Sequence, residues 1–344
     1  MIKKVYNKLK ADGIGGLLEG IYRLALPHRL EYYPHCKSFF QSGTGMEIGG
    51  PSSIFGRRGY IPVYSVAVRI DNCNFSNNTV WEGTVCEGDT FIFNQGKATG
   101  RQYIAEASNL QCMEDSSYDF ILSSHCIEHL ANPLQGLAEW IRVLKQNGLL
   151  VLVVPHKDGT FDHRRPLTAL EHLIQDFESQ TSENDMTHLE EILKFHDLTK
   201  DPGAGDFQSF QERSKRNNEN RCLHHHVFDT RLAVEAVNYM GLQILAVELF
   251  RPFHIVLIAK KIGPDQTLNN EKFRGINAAP CWLSPFSSDR KNAGPDLKKS
   301  YAPATANSSM TNGRTQSAIT KYLYSFRTIS GITFNKFNGI SLPC

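Results

Sequence analysis

His125-Cys126-Ile127-Glu128-His129 stand together within the stretch Ser123 to Leu130 and spell H-x-x-E-H. Neutral imidazoles and a carboxylate are good ligands for a divalent metal, and one class of zinc peptidases binds its ion with this string. Further histidines crowd the region that follows: His156, His163, His172, His188, His196, His224, His225 and His226. A histidine beside a reacting hydroxyl or amine can also take its proton. Upstream, Glu47-Ile48-Gly49-Gly50 ends in two glycines, which let a backbone turn sharply and approach a ligand closely. Asp71 comes about twenty residues later, a spacing at which a carboxylate can accept hydrogen bonds from ribose hydroxyls.

The elements that must carry these residues argue against the peptidase use. That use needs both histidines on one face of one helix, at i and i+4. Here the helix signal starts after them. Asn132 is a good N-cap and Pro133 fits the first helical position. Leu134, Leu137, Ala138, Ile141 and Leu144 then form one apolar face, and Asn147-Gly148 closes the helix. Before the string, Phe120-Ile121-Leu122 reads as a buried parallel strand, and "LLVLVVP" after the helix reads as the next one. His125 therefore falls at a strand end, with Glu128-His129 in the following turn. Strand ends are also expected at Glu47 to Gly50, at Asp71 and at Glu106-Ala107. A helix at about Thr230 to Met240 precedes the last pair, "LQILAVELF" and "FHIVLIAKK". The alternation predicts an α/β fold, and open sheets of this kind bind ligands beyond the carboxyl ends of their strands.

At this point the sequence resembles the class I S-adenosylmethionine-dependent methyltransferases, and among them the type 11 methyltransferase domains. Glu47-Ile48-Gly49-Gly50 matches the family's acidic-x-Gly-x-Gly motif up to its last glycine, where this chain has Pro51. Asp71 matches the acidic ribose ligand, and Glu106-Ala107 the Asp-Ala after the third strand. The most specific match is "YDFILSSHCIEHLANPLQGLAEWIRVLKQNGLLVLVVP". The likeness is good over residues 44–156 and looser over 227–261. It implies a Rossmann-like, mostly parallel seven-stranded sheet with helices on both faces, plus a helical insertion after the fifth strand. It implies S-adenosylmethionine as cofactor, held by Glu47, Gly49, Gly50, Asp71, Glu106, Ala107, Ser123, Ser124 and His125. Bottom-up, the residues say only that a nucleotide-like ligand sits at the strand ends. A dehydrogenase would want G-x-G-x-x-G there, which Gly49-Gly50-Pro51 does not supply.

The insertion, residues 157–227, is longer than such domains need, and long segments at strand ends shape substrate sites. Thr168-x-x-Glu171 and Thr187-x-x-Glu190 read as capping boxes of two short amphipathic helices. Three histidines at or just past strand ends, His125, His156 and His163, are candidate general bases for methyl transfer to a hydroxyl or amine. The acceptor expected is a small molecule or a sugar or glycan precursor. The competing use is a divalent metal held by Asp162, His163 and part of His224-His225-His226; no metal ligand set is assigned outright. Two other functions share these features: a non-catalytic methyltransferase-like binding module and a metal-dependent hydrolase.

The 344 residues are 41% hydrophobic and 21% charged, as in a soluble globular protein. The net charge of +2 is uneven: ten Lys/Arg stand against four Asp/Glu from Ile262 onward, leaving the remainder acidic. Nucleic acid is therefore not an expected partner. Eight scattered cysteines without a C-x-x-C pair point to free thiols and a reducing, cytoplasmic setting. The domain is expected at 41–262. Residues 1–40 read as an N-terminal helical segment, with Val5, Leu9 and Ile14 to Leu24 at helical spacing. That segment packs on the domain or makes weak contact with a membrane surface. Residues 263–344 read as a polar, disordered tail, with one hairpin candidate at "KYLYSFRTISGITF".

Overall fold

The computed structural model describes residues 29–94, 99–275 and 278–292. Helix α1 (Tyr33–Ser42) leads into β1 (Thr44–Ile48) and β2 (Arg69–Asn74). A small hairpin follows, β3 (Asn78–Thr79) and β4 (Gly83–Thr84), then β5 (Gly88–Ile92), β6 (Thr99–Ile104) and β7 (Tyr118–Ser124). Next come α2 (Pro133–Val143) and β8 (Leu144–Pro155). The insertion carries α3 (Leu170–Glu178), α4 (Leu189–Phe195) and α5 (Phe207–Lys215). The domain closes with α6 (Thr230–Tyr239), β9 (Gln243–Phe250) and β10 (His254–Lys260).

The main sheet runs β5-β6-β2-β1-β7-β8-β10-β9. Pairs β6·β2, β2·β1, β1·β7 and β7·β8 are parallel. The two terminal strands and β5 are antiparallel to their neighbours. Eight strands thus replace the seven expected. The extra edge strand β5 was hidden because only Phe91 of its five residues is buried, leaving no alternation to read. Chain order reverses between β1 and β7, which makes their carboxyl ends the switch point of the sheet.

The central strands are buried on both faces. On β8, Leu150, Leu152 and Val154 join the core under α2 and α6, which contribute Leu134, Leu137, Trp140, Leu232 and Val237. Leu149, Val151 and Val153 point the other way, to Phe40 of α1 and to Phe55, Ile61 and Val63 of the β1–β2 connection. Each such side chain contributes about 1.5–3 kcal/mol by leaving water. Helix α2 starts as expected, with Asn132 Oδ1 accepting from Gln135 N at 3.0 Å. It ends earlier, at Val143, because Leu144 already pairs with Tyr118. Asn147, at φ +66°, sits in the irregularity that follows.

Both insertion helices form, but without capping boxes. Their N-caps are Ala169 and His188, neither with a side-chain cap bond. Thr168 instead accepts from Val227 N at 2.9 Å, tying the two ends of the insertion together. Residues 263–275 and 278–292, expected in a disordered tail, are built into the domain. Asn270 Oδ1 accepts from Ile244 N at 2.8 Å. Asp289 binds Thr230 Oγ1 and Ser284 Oγ at 2.6 Å each. Composition concealed this, because the attachment combines polar anchors with a few separate apolar contacts, Phe273, Cys281 and Phe286 among them, rather than a continuous apolar stripe. The amphipathic pattern of residues 5–24 and the hairpin candidate lie outside the described residues. Among the described residues no helix is long and apolar enough to cross a membrane.

Candidate active site

A cavity of about 370 Å³ opens at the carboxyl ends of β1, β2, β6 and β7, within the ~300–1,000 Å³ range of small-molecule sites. Its first wall is the turn after β1. Gly49 takes φ +78°, a conformation that disfavours side chains, and donates to Cys73 O at 2.8 Å. Gly50 is pinned by Asn72, which accepts from its N–H and donates to its carbonyl, both at 3.1 Å. A Cβ on Gly50 would lie 2.2 Å from the carboxyl carbon of Glu47. Gly49, Pro51, Ser52 and Ser53 face the cavity.

Glu47 does not face it. The carboxylate is buried, accepting from Tyr64 Oη at 2.7 and 2.9 Å and from Ser52 N at 2.9 Å. Burial pushes its pKa up to about 8, against the pull of the Tyr64 and Ser52 bonds. Its role is to brace the glycine turn from behind.

Asp71 is also displaced from the expected position. Strand β2 runs three residues past it, to Asn74. Asp71 Oδ1 accepts from Arg101 N at 2.9 Å and forms an ion pair with Arg69; Oδ2 accepts from Tyr118 Oη at 3.1 Å. The residues at the true strand end, Asn74 and Phe75, line the cavity with Trp81 and Glu82 from the β3–β4 hairpin. Asn74 Nδ2 donates to Gly50 O at 3.2 Å, so its Oδ1 is the acceptor left on that side chain. Burial raises the pKa of Glu82. Phe75 packs on Trp81 at 6.2 Å between ring centroids, and Trp81 on His129 at 6.0 Å. The sequence reading missed Asn74, Phe75, Trp81 and Glu82. A usable signal was there: the β-run does not stop at Asp71 but continues Asn-Cys-Asn-Phe.

Glu106 and Ala107 line the cavity as expected, and Glu106 Oε1 accepts from Arg221 at 2.5 Å. Arg221 comes from the insertion, lies 5.3 Å over the Phe75 ring and also faces the cavity. Its left-handed φ of +50° aims it there from a one-turn helix, a feature spacing does not reveal.

The β7 end completes the site. Ser124, His125, Cys126, His129 and Leu130 line it, whereas Ser123 is fully buried away from it. His125 adopts φ +53°, uncommon for a residue with a side chain and often found at functional sites. Its Nε2 lies 2.9 Å from His254 Nδ1, and its Nδ1 lies 3.6 Å from Glu128 Oε1. The other two candidate bases do not reach the cavity lining. His156 is fully buried, stacked 4.0 Å from Phe286, with Nε2 at 3.1 Å from Asp289 and Nδ1 accepting from Asp158 N. His163 is held by Asp197 at 2.8 Å. The alternative metal grouping also divides. His163 turns to Asp197, while Asp162 binds His224 and the buried Arg165.

Residues 91–152 match the family model described as "Methyltransferase domain". No curated protein matches the chain. Similar solved structures include a SAM-dependent methyltransferase from Aquifex aeolicus, at 15% identity and TM-score 0.36, covering 71% of this chain and 98% of that one. Another is the 1,6-didemethyltoxoflavin-N1-methyltransferase of Burkholderia thailandensis, solved with S-adenosylhomocysteine, at 12% identity and TM-score 0.36, covering 76% and 90%. At such scores these superpositions add nothing to the sheet order and the matched segment.

Proposed function

We propose that this chain, which carries a methyltransferase domain, transfers the methyl group of S-adenosylmethionine to a hydroxyl or amine of a small acceptor. The supporting observation is one continuous cavity at the switch point, running from the Gly49 turn past Asn74, Phe75, Trp81 and Glu82 to Ser124, His125 and His129.

The two chemistries of the cofactor find matching walls. The carboxylate of Glu82 and the free oxygen of Asn74 would accept from ribose hydroxyls, and Phe75 and Trp81 would offer flat apolar surface to the adenine. The Gly49–Ser53 turn lets backbone approach the methionine part. The cofactor already carries an activated methyl, so the protein mainly aligns it. S-adenosylmethionine would supply the methyl and leave as the neutral thioether, and His125 is placed to take the proton that the acceptor gives up. Glu128, 3.6 Å from His125 Nδ1, stabilises the imidazolium that forms. A sugar or glycan-precursor hydroxyl is one acceptor class that suits this arrangement.

The test is calorimetry of the purified chain with S-adenosylmethionine and S-adenosylhomocysteine, followed by product detection across hydroxyl and amine acceptors. Absence of both binding heat and competition between the two ligands would sink the reading. Binding without turnover on any acceptor would favour a binding module instead.

A further inference from the structure

Two groups of metal-type ligands stand in the insertion and the turn before α2, and they differ in form. The first lies away from the cavity. His172 and Asp176 project from α3 one turn apart, His188 precedes α4, and His226 comes from the segment leading to α6. Ligand nitrogens of the three histidines all lie within 4.8 Å of one another. His172 Nε2 is 3.0 Å from His188 Nε2. Asp176 Oδ2 is 3.5 Å from His172 Nε2 and 3.6 Å from His226 Nε2. Tetrahedral bonds of ~2.0–2.1 Å place donor atoms ~3.3 Å apart, close to the 3.0, 3.5 and 3.6 Å separations of these three pairs. Asp176 is also oriented as a ligand. Thr181 Oγ1 holds its Oδ1 at 3.0 Å, while its buried Oδ2 has no hydrogen-bond partner. A pure hydrogen-bond network explains these contacts less well. It accounts for His226 Nε2 donating to Ala131 O at 3.2 Å, a bond that a metal on Nε2 would replace, but it leaves the Asp176 oxygen unsatisfied among three imidazoles.

We propose that His172, Asp176, His188 and His226 form a closed four-ligand site for a zinc-like divalent cation, cross-linking α3, the start of α4 and the final segment of the insertion. Full-length protein carrying a non-histidine affinity tag, exposed to zinc and then desalted, should retain a bound equivalent by plasma mass spectrometry. The His172→Ala/His188→Ala variant should lose that equivalent. Cobalt(II) substitution of the unmutated protein should give the intense visible bands of four-coordinate cobalt, a readout that needs no variant to fold. Wild-type protein holding no metal and giving no such bands overturns the proposal, as does a folded double variant with unchanged metal content.

A second group is carried by a separate observation. Glu128 is almost wholly buried and neither carboxylate oxygen has a hydrogen-bond partner. Two histidines present ligand atoms beside it. His129 Nδ1 is spent on Leu223 O at 3.0 Å, and His224 Nδ1 on Asp162 Oδ2 at 2.5 Å. Such bonds fix the tautomer and leave Nε2 for a metal. His129 also forms part of the cavity wall. Three protein ligands, one of them on the cavity wall, is the ligand number of a catalytic rather than a structural site.

The geometry points to Glu128, His129 and His224 as an open, two-histidine, one-carboxylate site for a divalent transition metal at the edge of the cavity. Its role, orienting an acceptor oxygen beside the methyl, rests on the methyl-transfer reading; its existence does not. Titration with zinc and with manganese should show one more equivalent in the wild type than in the isosteric Glu128→Gln. S-adenosylhomocysteine binding should stay within about twofold in that variant, which separates failure of this site from failure of the cofactor reading. Equal stoichiometry for the two metals in wild type and Glu128→Gln overturns it.

Discussion

Tyr118 donates its hydroxyl to Asp71 Oδ2 at 3.1 Å, joining β7 to β2 across the intervening strand β1. The residue that spacing marked as a ribose ligand is thereby a brace inside the sheet. Asp71→Ala should leave the Tyr118 hydroxyl and the Arg101 N–H without an acceptor, at about 1–3 kcal/mol for each buried group. Thermal unfolding should show this as a lower Tm, while the cofactor Kd of the folded variant should change less than about threefold.

Glu82→Gln should do the reverse. Replacing a carboxylate acceptor in the cavity removes a charge-assisted bond of about 1.5–3 kcal/mol, so cofactor affinity by calorimetry should fall about tenfold or more. Tm without ligand should barely move. An unchanged Kd would take Glu82 out of the ribose subsite.

Gly50→Ala forces a methyl group against the Glu47 carboxyl, 2.2 Å from its carbon. The turn must shift, because Asn72 and Asn74 hold both polar groups of Gly50. Loss of cofactor binding together with a lower Tm is expected; an alanine variant with wild-type affinity would show the turn to be dispensable.

Stability should depend on pH through Glu47. Its ordinary pKa of 4.5 applies to the unfolded chain, and burial lifts the folded value to about 8. Between these values the unfolded state has lost a proton that the folded state keeps, so stability falls as pH rises through this window. Glu47→Gln should flatten the decline of Tm between about pH 5 and pH 8. Parallel declines in both proteins would place its origin elsewhere.

His125→Ala should lower kcat by about 10²–10⁴-fold if its imidazole takes the acceptor proton, with S-adenosylhomocysteine affinity nearly unchanged. His156→Ala makes the contrasting case. It removes one of the partners of Asp289 and the ring stacked on Phe286 and should lower Tm by several degrees, with catalysis affected only through folding.

The local signals fixed the elements well. Asn132-Pro133 placed the start of α2, the apolar runs at Phe120 and Leu149 placed two central strands, and Gly49-Gly50 placed the ligand turn. These are properties of neighbours in the chain: capping, backbone freedom and periodicity act within a few residues. From them came the α/β sheet, the end at which a ligand binds, and the places of Gly49, Glu106, Ala107, Ser124 and His125 around it. What composition and spacing could not supply was how far each element runs and what meets it from afar. Strand β2 outlasts Asp71 by three residues, so Asn74 and Phe75 take the cavity position. Ser123 and Ser124 are adjacent, yet the strand's alternation sends only Ser124 to the cavity. Glu128 and His129 gain their meaning only when the insertion folds back. Then Leu223 and Asp162 orient His129 and His224, and a buried carboxylate is left facing two imidazoles. Such contacts join residues 62 and 94 positions apart, and only packing in three dimensions decides which side chains they bring together.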